Sequence, residues 1–281
     1  MIAKNWLKTA LILLVLGSIA WLSPQATFDP WSFFSLKKIA KMIFALALIQ
    51  TLGSLMIQLL GGRTGAILSG FLGGLLSSTA TTATLARKSV MPSKQGDSTE
   101  TITFLSSTLA MLLEASAIII FGTEDVHPRL LIIFLGPTLS TLALIIHQSR
   151  FETKQVASLK NTQLEFLPLL KLSAFVLGIL TFSKLLLNIF GKNGLLAMTF
   201  IMSLFELHGS VIANVQLHDS GAITVTFLGG LIAISIASSY ISKVFLVITL
   251  GSSSLKTKVV KLTSVLLLST VTSWLLFRAL I

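Results

Sequence analysis

Residues 65–75 read GAILSGFLGGL and residues 221–231 read GAITVTFLGGL. Eight of the eleven positions are identical, 156 residues apart. The match continues outward at the same shift: Met42 with Met198, Phe44 with Phe200, Leu48 with Leu204, Gly53-Ser54 with Gly209-Ser210, and Arg87 with Lys243. Accidental likeness between Leu- and Gly-rich helices accounts for isolated leucines. It does not account for a Gly-Ser pair held in register upstream of both phrases. The pattern points to an internal duplication, repeat A at 38–122 and repeat B at 194–278, within a single membrane domain covering 1–281.

The phrases sit in a chain that is 53% hydrophobic and only 11% charged, against about 25% charge in an average soluble domain. Mean hydropathy is +0.90. Long apolar runs recur along the whole length, which is the composition of a polytopic, all-α integral membrane protein. Breakers such as Pro24 and Pro30, GKNG at 191–194 and GSSSLK at 251–256 divide it into about nine transmembrane helices, within a range of eight to ten. The expected spans are 6–23, 38–60, 64–86, 100–122, 129–148, 166–190, 194–216, 221–250 and 258–280. The first is read as a retained helix, because the apolar run continues to Leu22 without a good cleavage site.

The net charge of +11 falls in short loops beside apolar spans. Orientation and anionic headgroups explain it better than nucleic acid, which is excluded as a partner. Lys37, Lys38 and Lys41 after helix 1, Arg87, Lys88 and Lys94 after helix 3, and Arg150, Lys154 and Lys160 after helix 5 place those loops in the cytoplasm of a bacterial inner membrane and the N-terminus outside, with Arg87 and Lys88 as a cytoplasmic anchor. Lys4, Lys8, Lys256, Lys258 and Lys261 disagree with that count. With no cysteine, no phosphate-binding loop, no HExxH and no nucleophile triad, neither a cofactor, a metal nor an enzymatic activity is expected.

From helix 2 to helix 7 the shift is five spans. An odd shift inverts the second copy, giving two inverted three-helix repeats. A re-entrant 129–148 would make the repeats parallel and would bring Lys256, Lys258 and Lys261 inside. Gly65, Gly73 and Gly74, with Gly221, Gly229 and Gly230 in the second copy, are expected to admit neighbouring helices closely.

Polar groups in hydrocarbon need a partner or water. Gln50, Ser54 and Gln58 recur every four residues, and Glu206, Ser210 and Asn214 align with them. Each triplet makes one stripe on a helix face. Such a stripe is either interhelical glue or one wall of a path. Glu206 stands in FIMSLFELHGS, where a carboxylate must be paired, wet or uncharged. His208 lies about 200° round a regular helix from it, so the two meet only if the helix unwinds at Gly209. Together they could hold a cation or carry protons. Glu114 is the second mid-span carboxylate. Ser77, Ser78, Thr79, Thr81 and Thr82 crowd helix 3, either bonding back to their own carbonyls or lining a path that ends at Arg87. Ser235, Ser238, Ser239 and Ser242 are a weaker echo.

The stretch GLLSSTATTATLAR at 74–87 resembles the signature of the domain of unknown function that commonly follows an MgtC-like domain in bacterial MgtC/SapB membrane proteins. FLPLLKLSA at 166–174 and Lys243 resemble it too, and the likeness covers most of 40–260. An Asp-x-Asp pair of that family is Glu206-Leu207-His208 here, and an Asn four positions before the late lysine is Ser239. The resemblance implies the membrane class and the candidate residues, not a substrate. The expected function is a transporter or channel for a small ion or solute, in contact with the lipid bilayer. A homo-oligomer or a membrane-protein partner is also expected, the latter if the chain instead regulates another complex as an MgtC-like association implies. A lipid-acting enzyme would need a carboxylate at headgroup depth.

Overall fold

In hydrocarbon a backbone must satisfy its own N–H and C=O groups, so apolar runs become helices. A computed structural model describes residues 2–22, 36–59, 63–91, 97–122, 128–150, 157–158 and 166–281. The helices are α1 (Ile2–Leu22), α2 (Leu36–Leu59), α3 (Ala66–Val90), α4 (Asp97–Gly122), α5 (Ile132–Ser149), α6 (Phe166–Phe205), α7 (Leu207–Asp219), α8 (Val225–Leu250) and α9 (Ser253–Leu280). A two-residue antiparallel pairing joins Arg63–Thr64 to Ala157–Ser158. Among the described residues six helices, drawn from α3, α4, α5, α6, α8 and α9, are long and apolar enough to cross a membrane. The chain is therefore an all-helical, multi-pass membrane protein in contact with lipid.

Length permits a crossing but does not dictate the path. In α3 the helix is interrupted at Ser77, whose φ and ψ are −170° and 106°. A Cβ on Gly70 would lie 2.5 Å from the Thr103 carbonyl oxygen, and one on Gly74 would lie 2.6 Å from Ser107 Cα. Residues 66–76 thus run parallel to α4. Residues 78–90 lead into the start of α4 through a short connection and run antiparallel to it. The two arms face each other: a Cβ on Gly73 would meet Thr81 Oγ1 at 2.9 Å, although eight residues of straight helix span about 12 Å. α3 is a hairpin that folds back at Ser77.

A second hairpin follows. α6 reverses at Gly191, where φ is +61°, a backbone conformation that glycine adopts at no steric cost. A Cβ on Gly194 would lie 2.6 Å from the Leu186 carbonyl oxygen, so the segments flanking Gly191 double back. Residues 192–205 then run to Glu206, which is extended at φ −149° and ψ 106°, and α7 returns. The Thr199 hydroxyl donates to Asn214 Oδ1 at 3.2 Å across the arms. Lys192 Nζ sits 5.4 Å from the Phe227 ring, beyond the far end of α7. Both arms therefore begin and end on one side.

These contacts fix the ends of the bundle. Ser89, at the base of hairpin 1, accepts a hydrogen bond from Ser252 N at 2.9 Å, just past the end of α8. The base of hairpin 2 lies at the start of α8. The hairpins thus insert from opposite ends, called here the Ser89 end and the Lys192 end. Met42, near the start of α2, contacts Gln216 Nε2 at 4.0 Å, so α2 begins at the Lys192 end. α1 lies antiparallel to α2, with the Trp21 and Phe44 rings edge to face at 5.4 Å, so α1 starts at the Ser89 end. Gly136 N donates to Ser273 Oγ at 2.9 Å, pairing α5 with α9.

The sequence reading takes 64–86 and 194–216 as single crossings. The structure folds each back, because two apolar arms have the same composition as one apolar span. It also gives the repeated phrase two unlike places: the first copy is an arm of hairpin 1, the second the head of the straight helix α8. Of the glycines expected at helix contacts, Gly74 meets α4 and Gly229 meets the Phe277 ring of α9. Gly73 faces its own hairpin partner, and Gly230 lies 3.7 Å from Trp274 Nε1. A Cβ on Gly65 or Gly221 would meet nothing within 4 Å among the described residues. Gly65 precedes α3, and Gly221 is needed instead for its φ of +76° in the turn before α8. Arg87 and Lys88 are exposed near the base of hairpin 1. The side chains of Ser54, Gln58, Lys171 and Lys184 lie outside the described residues.

Candidate functional site

The two extended breaks meet. Ser77, Ser78 and Thr79 from the tip of hairpin 1 and Glu206 and His208 from the tip of hairpin 2 line one cavity of about 60 Å³. Gln50 of α2, Glu114 of α4, Ser203 of hairpin 2 and Ser239 of α8 complete its polar wall.

Each break is also a helix cap. Ala80 N donates to Ser77 Oγ at 3.2 Å, and His208 N donates to Glu206 Oε1 at 3.0 Å. Each cap contributes about 1 kcal/mol. Together they turn two helix N-termini, with their partial positive charge, toward the cavity. The carbonyls that end the first arms contribute the opposite polarity. Such a tip offers both donors and acceptors to a dehydrated guest, which is why irregular backbone is tolerated at membrane depth only beside a polar cavity or buried in protein.

The ionisable groups form a chain across the cavity. His208 Nδ1 lies 3.0 Å from Glu206 Oε1, and His208 Nε2 lies 3.4 Å from Glu114 Oε2. The sequence places Glu206 and His208 on different faces unless the helix unwinds at Gly209. The unwinding occurs at Glu206 itself, and that brings them together. Glu206 keeps 35% of its side chain accessible, whereas Glu114 keeps 2%. Among the described residues, Glu114 Oε1 and Ser203 Oγ are buried without a hydrogen-bond partner. Unmet acceptors and donors of this kind cost roughly 1–3 kcal/mol each, and both line the cavity. Among the described residues no group of three His, Cys, Asp or Glu side chains is placed to hold a metal ion.

Three expected lining residues are elsewhere. Asn214 is locked between the arms of hairpin 2 by Thr199. Thr82 bonds back to the Ser78 carbonyl at 2.8 Å, the local alternative open to a membrane threonine. Thr81 packs on Gly73 within hairpin 1.

Residues 45–251 match the family described as Domain of unknown function (DUF4010). The chain belongs to the DUF4010 family. No curated protein and no solved structure matches it. The matched stretch of this DUF4010 protein contains both hairpins and every residue that lines the cavity.

Sequence reasoning noted Lys243 only through the family resemblance and did not bring it to the site, where it bonds to Ser239 of the cavity wall. Lys243 is fully buried. Its ammonium donates to Ser239 Oγ at 2.7 Å and contacts Met111 Sδ at 2.9 Å. Among the described residues it forms no ion pair. Its alignment with Arg87 pairs unlike environments: Arg87 is exposed near a hairpin base, whereas Lys243 is buried within α8. Four-residue spacing from Ser239 was the available signal. Ser203 and Met111 carried no signal beyond apolar periodicity.

Proposed function

We propose that the chain is a transporter of the bacterial inner membrane, not an enzyme, and that it carries a small ion or solute through the cavity between the hairpin tips. One observation carries this reading: Ser77 and Glu206, the breaks of two hairpins inserted from opposite ends, line the same polar cavity as Glu114. Discontinuous helices meeting near mid-depth are how secondary transporters build a site that either side can reach. About 60 Å³ is room for roughly two waters at liquid density, which favours an ion with residual water over a large solute. Glu114, His208 and Glu206 supply sites for protons or for the charge of a cation.

The repeats on this reading are α2–α5 and α6–α9, instead of 38–122 and 194–278. Each holds a crossing helix, a hairpin and two further crossings. A shift of 129 residues sets Ser77 on Glu206 and Glu114 on Lys243. Three crossings separate the hairpins, an odd number, so the copies are inverted. The path has seven crossings and two hairpins in place of nine crossings. Arg87, Lys88, Arg150, Lys256, Lys258 and Lys261 then share the Ser89 end, which is cytoplasmic by the positive-inside rule. The start of α1, with Lys4 and Lys8, joins them. Lys37 and Lys41 fall on the opposite side.

The test is ion flux into proteoliposomes holding the purified chain, with Glu206→Gln and Glu114→Gln. Either substitution is expected to lower flux at least tenfold. Full flux in both would remove the carboxylates from the path. No flux for any ion tested, with a membrane protein co-purifying, would replace transport with the MgtC-like regulatory role.

A further inference from the structure

A second cavity lies away from the polar one, between the first arm of hairpin 2, α8 and α9. It holds about 520 Å³, with Lys192 and Arg278 lining it at the Lys192 end. Gly230, Ala233 and Ala237 line it from α8. Small residues at three- and four-residue spacing leave a trough along one helix face. Leu267 and Val271 of α9 supply the apolar wall opposite.

The Lys192 end has a different character. Lys192 sits over the Phe227 ring at 5.4 Å and Arg278 over the Trp274 ring at 5.3 Å. Both cations line this cavity, and neither forms an ion pair among the described residues. The rings hold the two heads in place through cation–π attraction. Among the described residues the buried Trp274 indole N–H has no hydrogen-bond partner. Thr224 Oγ1, also in the lining, accepts from Phe227 N at 3.3 Å, which leaves its own proton free to donate at that end.

We propose that this cleft binds an anionic phospholipid, its phosphate between Lys192 and Arg278 and one acyl chain along Gly230, Ala233 and Ala237. Charge and shape together select that occupant. Two fixed cations at the head of an apolar trough call for a ligand with an anionic head and an apolar tail. From Thr224 to Ala237 the trough runs about 20 Å at 1.5 Å per residue, comparable with one leaflet of a bilayer with a core about 30 Å thick. A second copy of the chain docked here by a two-fold axis would set the same cations against each other. Free phosphate would leave the apolar volume unused.

Native mass spectrometry of the detergent-solubilised full chain tests this, titrated with phosphatidylglycerol, phosphatidylcholine of the same chains, or inorganic phosphate. Phosphatidylglycerol is expected to be retained at a concentration at least tenfold lower than phosphatidylcholine. Lys192→Gln with Arg278→Gln should erase that difference, and Ala233→Trp should weaken retention of both lipids. Lys261→Gln, at the other end, should change nothing. Size-exclusion elution and helical content show that each variant is folded. Equal retention of the two lipids, an unaffected double variant, or displacement by inorganic phosphate at equal concentration would overturn the proposal. So would lipid-independent cross-linking of two copies through Ala233→Cys.

Discussion

The fold-back of hairpin 2 can be tested with one covalent bond. The chain contains no cysteine, so any pair introduced stands alone. Thr199 and Asn214 are 15 residues apart. On one continuous helix that is about 22 Å, and a disulfide needs Cα atoms within about 7 Å. In the hairpin their side chains touch, with Thr199 Oγ1 3.2 Å from Asn214 Oδ1. Thr199→Cys with Asn214→Cys should therefore link under mild oxidation in intact membranes, read by mass spectrometry of the joined peptides. Closing a loop of that length should stabilise the protein by about 3 kcal/mol through the unfolded state. That predicts a higher unfolding midpoint in detergent for the oxidised form than for the reduced form. Ser89→Cys with Ser252→Cys serves as the companion pair, since Ser252 N lies 2.9 Å from Ser89 Oγ. Linkage at 89 and 252 without linkage at 199 and 214 would refute the hairpin.

Two further substitutions separate packing from function. Gly74→Val places a Cβ 2.6 Å from Ser107 Cα and 2.7 Å from its carbonyl oxygen, so hairpin 1 must move off α4; a loss of about 1–3 kcal/mol is expected, read as a lower thermal midpoint, while Gly65→Ala should leave it unchanged. Lys243→Met should have effects of opposite sign: burying an ammonium without an ion-pair partner carries a desolvation cost that a thioether does not, so the thermal midpoint should hold or rise, yet on the proposed transport role flux in proteoliposomes should fall, because the cation bonded to Ser239 of the cavity wall is gone.

The membrane class was legible from composition, and the polar site from the cost of placing Glu114, Glu206 and the serines of 77–78 in hydrocarbon. Those residues cannot afford lipid, so they had to find one another. The reversal at Gly191 fell in a breaker the sequence offers openly. The reversals at Ser77 and Glu206 did not, because neither is a glycine or proline. Each is instead a capping residue, and a cap in the middle of an apolar run reads as an ordinary polar intrusion. The Gly-Leu phrase is ambiguous for a related reason. Close helix contact and a hairpin arm both want small residues next to leucines, so the same eleven-residue text serves α3 and α8 in different roles. Asn214 and Thr82 illustrate the limit of stripes: their partners, Thr199 and the Ser78 carbonyl, lie within the hairpins themselves.

The depth of the hairpin tips has an electrical consequence. Each tip is reached by arms of 11 to 14 residues, roughly 17–21 Å of helix, from opposite ends of the bundle. A charge held between the tips therefore sits near the middle of the field. Crossing the whole field is worth about 2.3 kcal/mol per elementary charge for each 100 mV. On the proposed transport role, a monovalent guest would meet roughly half of that on entering and the remainder on leaving, so the membrane potential would bias both steps of its passage.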